Sequence, residues 1–403
     1  MTLSPEQVSA LDNIARWLRQ GSGVQPYFIL GGYAGTGKTT LLSHFIDAMD
    51  QPPLCCAPTG KAASVLARKL KHARVSTVHH ALYTPNSPST VILEMLEGEL
   101  ADNPEDEELR RKVAEEKLRL SDVKLSFSLK SNREIMPGAL VVIDEASMVN
   151  SRMFDDLLNT KARILFVGDP GQLPPVQDAG FFHNHHPDSM LTTIHRQALN
   201  SPIIRLSQRV RQGEEINYFE ADGCRKVPKG TVKPEEWLKF DQVLTGKNET
   251  RRRINRFFRA SKGFTTPWPL MGEKLICLKN DFASNRCFVN GVQCEALADG
   301  NYNAEFDNLH LDIAYEGLQH YGVTAYPYHF KVHYDAGAVE EPWMARHGIQ
   351  EFDFGYAVTT HKSQGSEWQS VLLADDAFGV GEFRRRWLYT AITRARENFT
   401  WIA

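Results

Sequence analysis

The 403-residue sequence lacks any uninterrupted apolar run long enough to cross a membrane, although 42% of its residues are hydrophobic. Its first residues, Met-Thr-Leu-Ser-Pro-Glu-Gln, lack the basic and apolar regions of a signal peptide. We therefore expect a cytoplasmic protein that does not associate with membranes. The chain is too long for one hydrophobic core, so it should form two or more domains.

Cysteine is scarce, and basic residues are not in excess. The six cysteines show neither C-x-x-C pairs nor ligand-like spacing with histidine, which argues against a zinc site and a disulfide framework. The formal net charge of -3 gives no global signal for nucleic acid. Binding to nucleic acid would therefore require local basic patches or loops that contact its backbone.

The most informative stretch is an apolar strand from Tyr27 that runs into a glycine-rich turn. Its pattern is G-x-x-x-x-G-K-[ST], and an apolar helical face follows. Backbone N–H groups of such a loop surround phosphate oxygens, a lysine adds positive charge, and the last hydroxyl can bind Mg²⁺. The alternative is an ordinary strand-to-helix turn. We predict a nucleotide-binding loop that contains Gly32, Gly35, Thr36, Gly37, Lys38, Thr39 and Thr40.

Further strand, loop and helix patterns predict a parallel α/β sheet with strands at 54–57, 139–143 and 163–167. Ligand chemistry in such sheets lies at the carboxyl ends of the strands. Asp144 follows one strand and is suited to hold Mg²⁺, and Glu145 could polarise an attacking water. Gln172, after the next strand, could bond a γ-phosphate. The alternative for the acidic pair is an acidic turn.

Between residues 85 and 137 the composition changes. Positions 94–119 contain ten acidic and five basic residues. With leucines at helical spacing, this pattern predicts a charged helical insertion. A solvated arm is the favoured interpretation, and a docking site is the alternative. The alternating apolar residues of 123–129 could form one hairpin strand.

A second domain should begin near residue 201. Its opening helix carries apolar residues at 203, 204, 206 and 210, and residues 223–234 read as a connector or exposed loops. Short β-like segments at 275–278, 309–313 and 328–332 suggest a small β-barrel-like insertion. Further strands are predicted at 242–245, 371–374 and 399–402, with helices at 251–262 and 386–393.

The motifs occur in an order that strongly resembles the superfamily 1 helicases, and within them the superfamily 1B branch of RecD and phage Dda. They extend from residue 7 to residue 395, essentially the whole chain. The motifs are Gly32-Tyr-Ala-Gly-Thr-Gly-Lys-Thr39, Ala57-Pro-Thr-Gly-Lys-Ala-Ala63, Thr77-Val-His79, Ile143-Asp-Glu-Ala-Ser-Met148, Gly168-Asp-Pro-Gly-Gln-Leu-Pro-Pro175, His195-Arg-Gln197, Thr360-His-Lys-Ser-Gln-Gly-Ser-Glu367 and Tyr389-Thr-Ala-Ile-Thr-Arg-Ala395.

The resemblance implies an α/β fold with two RecA-like P-loop lobes that contain parallel sheets. Residues 1–84 and 138–200 would form the first lobe, with 85–137 as its insertion. Residues 201–271 and 351–403 would form the second, with 272–350 as an SH3-like β insertion. In this branch the first insertion carries a strand-separating pin, normally a short β-hairpin, whereas here the stretch is long, acidic and mostly helical in pattern.

The resemblance also implies an ATP hydrolase that acts on DNA: a monomeric, Mg²⁺-dependent helicase that moves 5′-to-3′ on single-stranded DNA in replication, repair or recombination. Its partners would be single-stranded DNA, 5′-tailed duplex DNA, and single-strand-binding or replication and recombination proteins. Two alternatives stay open: a translocase without unwinding, and a motor-derived DNA-binding or regulatory subunit of a nuclease or recombination complex. A P-loop kinase or switch would not explain the motifs after residue 359.

Individual roles also follow from the resemblance. Gln7 would recognise adenine, Gln172 would couple nucleotide to DNA, and Arg196 and Arg394 would reach the γ-phosphate across the interlobe cleft. Gly365 and Glu367 would lie on the nucleotide side. For every DNA contact the alternative is a loop residue that satisfies local backbone. The predicted DNA-binding residues are Pro58, Thr59, Gly60, Lys61, Thr77, His79, Asn290, Thr360, His361 and Lys362.

Aromatic residues are expected to stack on the bases of a bound strand. Tyr83, Phe282, Phe288 and Trp368 are candidates, and each is equally well explained as a core residue.

Overall fold

The computed structural model describes residues 3–20, 25–70, 72–86, 95–96, 98–100, 103, 105–121, 126–130, 135–175, 178, 180–194, 200–280, 288–315, 317–335, 337–340, 349–376 and 379–403. None of the helices in these residues combines the length and the apolar character that a membrane span requires.

The first lobe is built on a six-stranded sheet whose order is β3-β2-β6-β7-β1-β8, with every neighbouring pair parallel. The predicted parallel α/β sheet is therefore confirmed. Its strands are β1 (Tyr27–Gly32), β2 (Leu54–Ala57), β3 (Arg74–Thr77), β6 (Leu140–Ile143), β7 (Arg163–Gly168) and β8 (Ser189–Leu191).

Helices cover both faces of this sheet because each has an apolar side to bury. α1 begins with a capping box, in which the Ser4 hydroxyl accepts from Gln7 N and the Gln7 side chain accepts from Ser4 N. Ile14 of α1 and Leu41 and Leu42 of α2 belong to one buried cluster. The helices are α1 (Pro5–Arg19), α2 (Lys38–Asp47), α3 (Gly60–Lys69), α4 (Val78–Leu82), α6 (Ser151–Leu158) and α7 (Phe181–Asn184), with a 3₁₀ turn at Ala146–Met148.

The insertion of the first lobe combines a hairpin-like strand pair with a helix. β4 (Tyr83–Asn86) pairs antiparallel with β5 (Ser126–Leu129), and α5 (Glu107–Ser121) lies between them in the chain. The predicted charged helix and the predicted strand within 123–129 are both confirmed for the described residues. What this insertion does remains a prediction.

The second lobe contains another six-stranded sheet, with the order β18-β11-β19-β20-β10-β9. All its pairs are parallel except β9 with β10. The interpretation of 223–234 as connector or exposed loops was wrong for β10, which lies beside the last strand with Cys224 and Val227 buried. Its strands are β9 (Phe219–Ala221), β10 (Cys224–Val227), β11 (Gln242–Thr245), β18 (Ala357–Thr359), β19 (Trp368–Ala374) and β20 (Ala395–Ile402).

A third, antiparallel sheet forms the β insertion of the second lobe. Its order is β14-β15-β13-β12-β17, and β16 pairs with β15. Its SH3-like character remains a prediction. The segment 328–332 was predicted as a strand, which was wrong, because Tyr328–Lys331 is a helix that follows Pro327. The strands are β12 (Lys274–Cys277), β13 (Gln293–Ala296), β14 (Asn301–Asn303), β15 (Asn308–Tyr315), β16 (Leu318–Ala325) and β17 (Phe352–Phe354).

Five helices complete the described part of the second lobe and its insertion, with the long ones packed on the second sheet. Trp387, Leu388, Ala391 and Ile392 of α12 are buried in the same cluster as Leu206 of α8. The helices are α8 (Pro202–Arg211), α9 (Pro234–Trp237), α10 (Asn248–Ser261), α11 (Tyr328–Lys331) and α12 (Gly381–Ile392).

A buried charged group joins the β insertion to the second lobe. Asp353 of β17 accepts from Arg251 of α10 at 2.6 Å and bonds the His333 ring at 2.6 Å. All three residues are at most 5% exposed. Burial alone would raise the pKa of the Asp353 carboxyl, but the Arg251 guanidinium and then the His333 ring hold that pKa well below its usual value.

Asp353→Asn should lower the free energy of unfolding by about 3–5 kcal/mol, because it leaves the Arg251 charge buried without its anion. Asp307→Asn is the matched control, since it breaks a partly exposed pair with Lys331 in the same insertion and should cost less than about 1 kcal/mol. Urea unfolding at pH 7 measures both. Equal losses in the two variants would contradict the prediction.

The same carboxylate should contribute to acid sensitivity. Because its folded pKa lies below its unfolded value, its stabilisation is complete above about pH 4 and is lost as the pH falls towards the folded pKa. The stability difference between wild type and Asp353→Asn should therefore shrink below about pH 4.

Candidate functional site

The glycine-rich loop connects β1 to α2 at the carboxyl edge of the first sheet. Gly35 and Gly37 have φ angles of 80° and 79°, a region that side chains disfavour. A Cβ on Gly32 would lie 2.9 Å from Lys38 Cγ. Lys38 Nζ donates to the carbonyl oxygens of Gly32 at 2.6 Å and Tyr33 at 3.1 Å. The lysine ammonium is thus held at the mouth of the loop.

Gln7, on α1, reaches the same loop from outside the sheet. It is 2% exposed, and its Nε2 donates to the carbonyl oxygens of Thr36 and Gly37 at 3.4 Å each. The structure therefore places Gln7 against the predicted phosphate loop. The partly buried hydroxyls of Thr39 and Thr40 lie in the first turn of α2 and line the adjacent cleft.

Asp144 and Glu145 lie directly after β6. Asp144 Oδ1 accepts from Glu145 N at 2.9 Å, and Glu145 has the left-handed φ of 54°. A non-glycine residue in this conformation is uncommon and often marks a functional position. Burial and the neighbouring Asp144 charge raise the pKa of Glu145 to about 7, and burial raises the pKa of Asp144.

The loop after β7 supplies Asp169 and Gln172. Asp169 is 1% exposed, and its Oδ2 lies 4.0 Å from Lys38 Nζ. Gln172 is 6% exposed, and its Oε1 has no hydrogen-bond partner among the described residues. A buried acceptor of this kind suggests that another donor, from a ligand or water, completes the site.

The second lobe closes the other side of a cleft of about 860 Å³. Gly365, Glu367 and Arg394 line it opposite Lys38 and Asp144. Arg394 is 4% exposed and donates to the carbonyl oxygens of Thr390 and Ser366 at 3.0 and 3.1 Å. The structure thus brings together most residues of the predicted nucleotide site. The predicted finger Arg196 lies outside the described residues.

The donor set suits a magnesium nucleotide. Mg²⁺ prefers oxygen ligands, and the Thr39 hydroxyl and the Asp144 carboxylate are among the side-chain oxygens that line the cleft beside the loop. The cations Lys38 and Arg394 face the same space, where they would balance phosphate charge. These residues fit both groups, and their roles remain proposals.

Sequence reasoning missed how the lobes are joined. Gln364 Nε2 donates to Leu173 O at 2.9 Å, and Leu173 N donates to Thr390 Oγ1 at 2.9 Å. Tyr389 makes a third interlobe contact, to Asp169 at 2.7 Å. Leu173, Gln364, Tyr389 and Asp169 lie in the recognised motifs, but only the fold shows which of them meet.

The predicted DNA-binding residues fall into two groups. The hydroxyls of Thr59, Thr77 and Thr360 bond the backbone of Ala62, His80 and Thr245, respectively, as the local alternative expected. The others are mainly accessible at the surface, although Gly60 is buried. This accessible group contains the exposed His79, Asn290 and Lys362 and the partly exposed Pro58, Lys61 and His361.

Two of these segments meet across the lobes. The beginning of α3 lies against the loop before β13, because a Cβ on Gly60 would overlap Val289 Cγ1. Gly291 in the same loop lies near Lys61, because a Cβ added to Gly291 would be 3.6 Å from Lys61 Cβ. Asn290, between them, is exposed. The structure therefore places Asn290 beside the predicted contact residues of the first lobe.

The aromatic candidates are largely packed. Phe288 is 1% exposed in the core of the β insertion, and Tyr83 is 8% exposed with its hydroxyl donating to Asp156 at 2.6 Å. Trp368 is partly buried and donates from Nε1 to Gln293. The core interpretation describes Phe288 and Tyr83 best. Phe282 lies outside the described residues.

Comparison with known proteins gives two family matches and several relatives. Residues 2–224, more than half of the chain, match the AAA domain family, and residues 354–400 match the UvrD-like helicase C-terminal domain. The ATP-dependent RecD2 DNA helicase of Deinococcus radiodurans is 27% identical over 98% of this chain and 48% of its own length. The RecBCD enzyme subunit RecD of Haemophilus influenzae is 28% identical over 38% of this chain and 22% of its own. The chain thus spans at most about half the length of these curated relatives.

Solved structures of Pif1 helicases share the fold. One, from work on DNA unwinding at forked duplexes by two coordinating Pif1 helicases, gives a TM-score of 0.56 at 18% identity and covers 100% of this chain and 92% of that one. Another, Pif1 from Bacteroides in complex with ADP-AlF3 and single-stranded DNA, gives 0.51 at 17% identity, with coverage of 100% and 93%.

Proposed function

Because this chain belongs to the AAA domain family and carries a UvrD-like helicase C-terminal domain, we propose that it is a Mg²⁺- and ATP-dependent DNA helicase. It hydrolyses ATP between its two lobes and moves on single-stranded DNA in the 5′-to-3′ direction. The relative named as a DNA helicase, RecD2, supports the substrate, since its similarity extends over 98% of this chain.

The observation that carries the proposal is the composition of the cleft. Its first-lobe wall holds Lys38, Asp144 and Glu145, and its second-lobe wall holds Glu367 and Arg394. Phosphoryl transfer needs a phosphate cradle, a metal ligand, a group that orients water and cations that balance the developing charge. The cleft lining offers a candidate for each of these four, and the candidates come from both lobes. ATP binding would therefore draw the lobes together, and hydrolysis would release them.

Each residue has a proposed role. Thr39 and Asp144 hold Mg²⁺, which balances phosphate charge when bound, and Glu145 orients and deprotonates the attacking water. Gln172 senses the γ-phosphate, and Arg394 together with Arg196 stabilises the charge on it. The loop residues Gly32, Gly35, Thr36, Gly37, Lys38 and Thr40 cradle the phosphates, while Gln7, Gly365 and Glu367 contact the rest of the nucleotide.

The DNA strand would follow the predicted residues that are accessible at the surface, from His79 and Lys61 of the first lobe past Asn290 to Lys362 of the second. Such contacts go to the phosphate backbone, so binding should be independent of sequence and should weaken with salt. A strand that contacts both lobes would take one step as the cleft opens and closes.

The direct test is ATP hydrolysis with and without single-stranded DNA, followed by strand displacement on 5′-tailed and 3′-tailed duplexes. We expect DNA to stimulate hydrolysis at least tenfold and only the 5′-tailed duplex to be unwound. Lys38→Ala should remove the stimulated hydrolysis, which assigns the activity to this chain.

Each outcome separates one alternative. A rate that DNA does not change would contradict the motor function. Stimulation without displacement would indicate a translocase that does not unwind, and displacement of only the 3′-tailed duplex would reverse the proposed direction. A second alternative is that this chain is a component of a larger complex, and the match to a subunit of the RecBCD enzyme supports it. If the protein binds DNA but its ATP hydrolysis is not stimulated, this alternative would be favoured.

A further inference from the structure

The hydroxyl of Tyr389 links the second lobe directly to the phosphate loop. Tyr389 lies in α12 and is 1% exposed. Its hydroxyl oxygen accepts from Ala34 N at 2.8 Å, and the hydroxyl donates to Asp169 Oδ2 at 2.7 Å. The direction is certain, because a backbone N–H can only donate and a carboxylate can only accept. One side chain thus bonds two separate parts of the proposed ATP site.

The first of these bonds occupies a backbone N–H of the predicted phosphate loop. Ala34 lies inside the loop between Gly32 and Gly37, whose backbone N–H groups are the general means by which such loops hold phosphate oxygens. A backbone N–H makes one strong, well-aligned bond at a time. The Tyr389 hydroxyl and a phosphate oxygen should therefore compete for Ala34 N–H.

The second bond holds the hydroxyl in place beside the loop. Asp169 Oδ1 accepts from Gly171 N at 2.8 Å, which leaves Oδ2 for the tyrosine and, at 4.0 Å, for Lys38. Burial and then the Asp169 charge raise the pKa of Tyr389 well above its usual value. The phenol thus stays protonated and can donate to this carboxylate throughout the neutral pH range.

We propose that Tyr389 is a positioning residue that couples occupancy of the phosphate loop to the second lobe: its hydroxyl binds Ala34 N–H and is displaced from it by a nucleotide phosphate. The proposal rests on the proposed function and extends it. α12 ends at Ile392, and Arg394 follows two residues later. Displacement of the tyrosine hydroxyl by phosphate would therefore move the helix that carries the arginine finger.

Tyr389→Phe keeps the ring and removes only the hydroxyl. We expect it to bind Mg²⁺-ADP about two- to tenfold more tightly than wild type in the absence of DNA, the range that one net hydrogen bond corresponds to. The affinity is measured by titration with fluorescently labelled ADP. Tighter binding is informative, because a variant that merely damages the fold would bind more weakly.

Thr390→Val is the matched control. It removes the acceptor of another interlobe bond from the same helix, to Leu173 N, and does not touch the loop. We expect its ADP affinity to stay within about twofold of wild type. Unchanged or weaker binding by Tyr389→Phe, or equal tightening in Thr390→Val, would overturn the competition at Ala34.

A second measurement does not depend on a folded variant. In the wild-type protein without nucleotide, the Ala34 amide should already be protected from hydrogen exchange, because the tyrosine hydroxyl bonds it. Exchange at the rate of an open loop would overturn the proposal. If the wild-type protein does not bind ADP, the proposed function is overturned as well. If the wild type shows DNA-stimulated hydrolysis but Tyr389→Phe has unchanged ADP affinity, only the role of Tyr389 is overturned.

Discussion

Replacing Glu145 with glutamine should lower the maximal rate of DNA-stimulated ATP hydrolysis by about a thousandfold and leave ADP affinity nearly unchanged. The amide has the same shape but cannot take a proton from water. In the wild type, the Glu145 carboxylate lines the cleft beside Asp144 and Lys38, where it can accept that proton. Steady-state ATPase assays with saturating single-stranded DNA measure the effect.

Glu214→Gln serves as the control for this prediction. Glu214 pairs with Arg209 on the surface of the second lobe and is not part of the cleft lining. Its rate should stay within about twofold of wild type. If Glu145→Gln keeps more than a tenth of the wild-type rate, Glu145 is not the base.

Arg394→Gln should also reduce the maximal hydrolysis rate by about a thousandfold. In other phosphoryl-transfer enzymes, an arginine that reaches the transferring phosphoryl group raises the rate by at least about this factor. Single-stranded DNA binding without nucleotide should change little. The comparison of turnover with DNA affinity, by filter binding or anisotropy, separates loss of the finger from loss of the fold.

The bonds of Arg394 make a folding check necessary. Its guanidinium donates to Ser366 O and Thr390 O, so glutamine leaves buried acceptors with fewer donors. Arg386→Gln, on α12 and paired with Glu382 at the surface, is the control and should be nearly neutral. Equal losses of turnover in both variants would argue against a finger at Arg394.

The sequence predicted the first lobe well because its signals are local. A short apolar run followed by a polar loop predicted β2 at residues 54–57, which are its observed bounds. The glycine-rich loop was recognisable from its sequence motif alone. The resemblance to RecD-type superfamily 1B helicases, with its two-lobed α/β fold, is confirmed by the AAA domain match, the RecD2 relative and the shared Pif1 fold. The proposed domain boundaries remain predictions.

The secondary-structure predictions were wrong where contacts between residues distant in the sequence determine the local structure. β10, Cys224–Val227, reads as loop because it is short and flanked by glycine and proline, yet pairing with β20 makes it a strand. Tyr328–Lys331 alternates like a strand but begins after Pro327 and turns once as a helix. The Tyr389 contact with Ala34 joins residues 355 positions apart, which no local pattern encodes.

The Arg251 and Asp353 pair has a mechanical consequence. It joins the third sheet to α10 of the second lobe through buried charges. This sheet and this helix should therefore move as one rigid body. The loop at Val289 lies close to this pair, since the rings of Phe288 and Phe352 are 5.8 Å apart, and it also lies against Gly60 of the first lobe. Rotation of the second lobe should therefore move the Val289 loop against Gly60, where the proposed DNA path crosses from one lobe to the other.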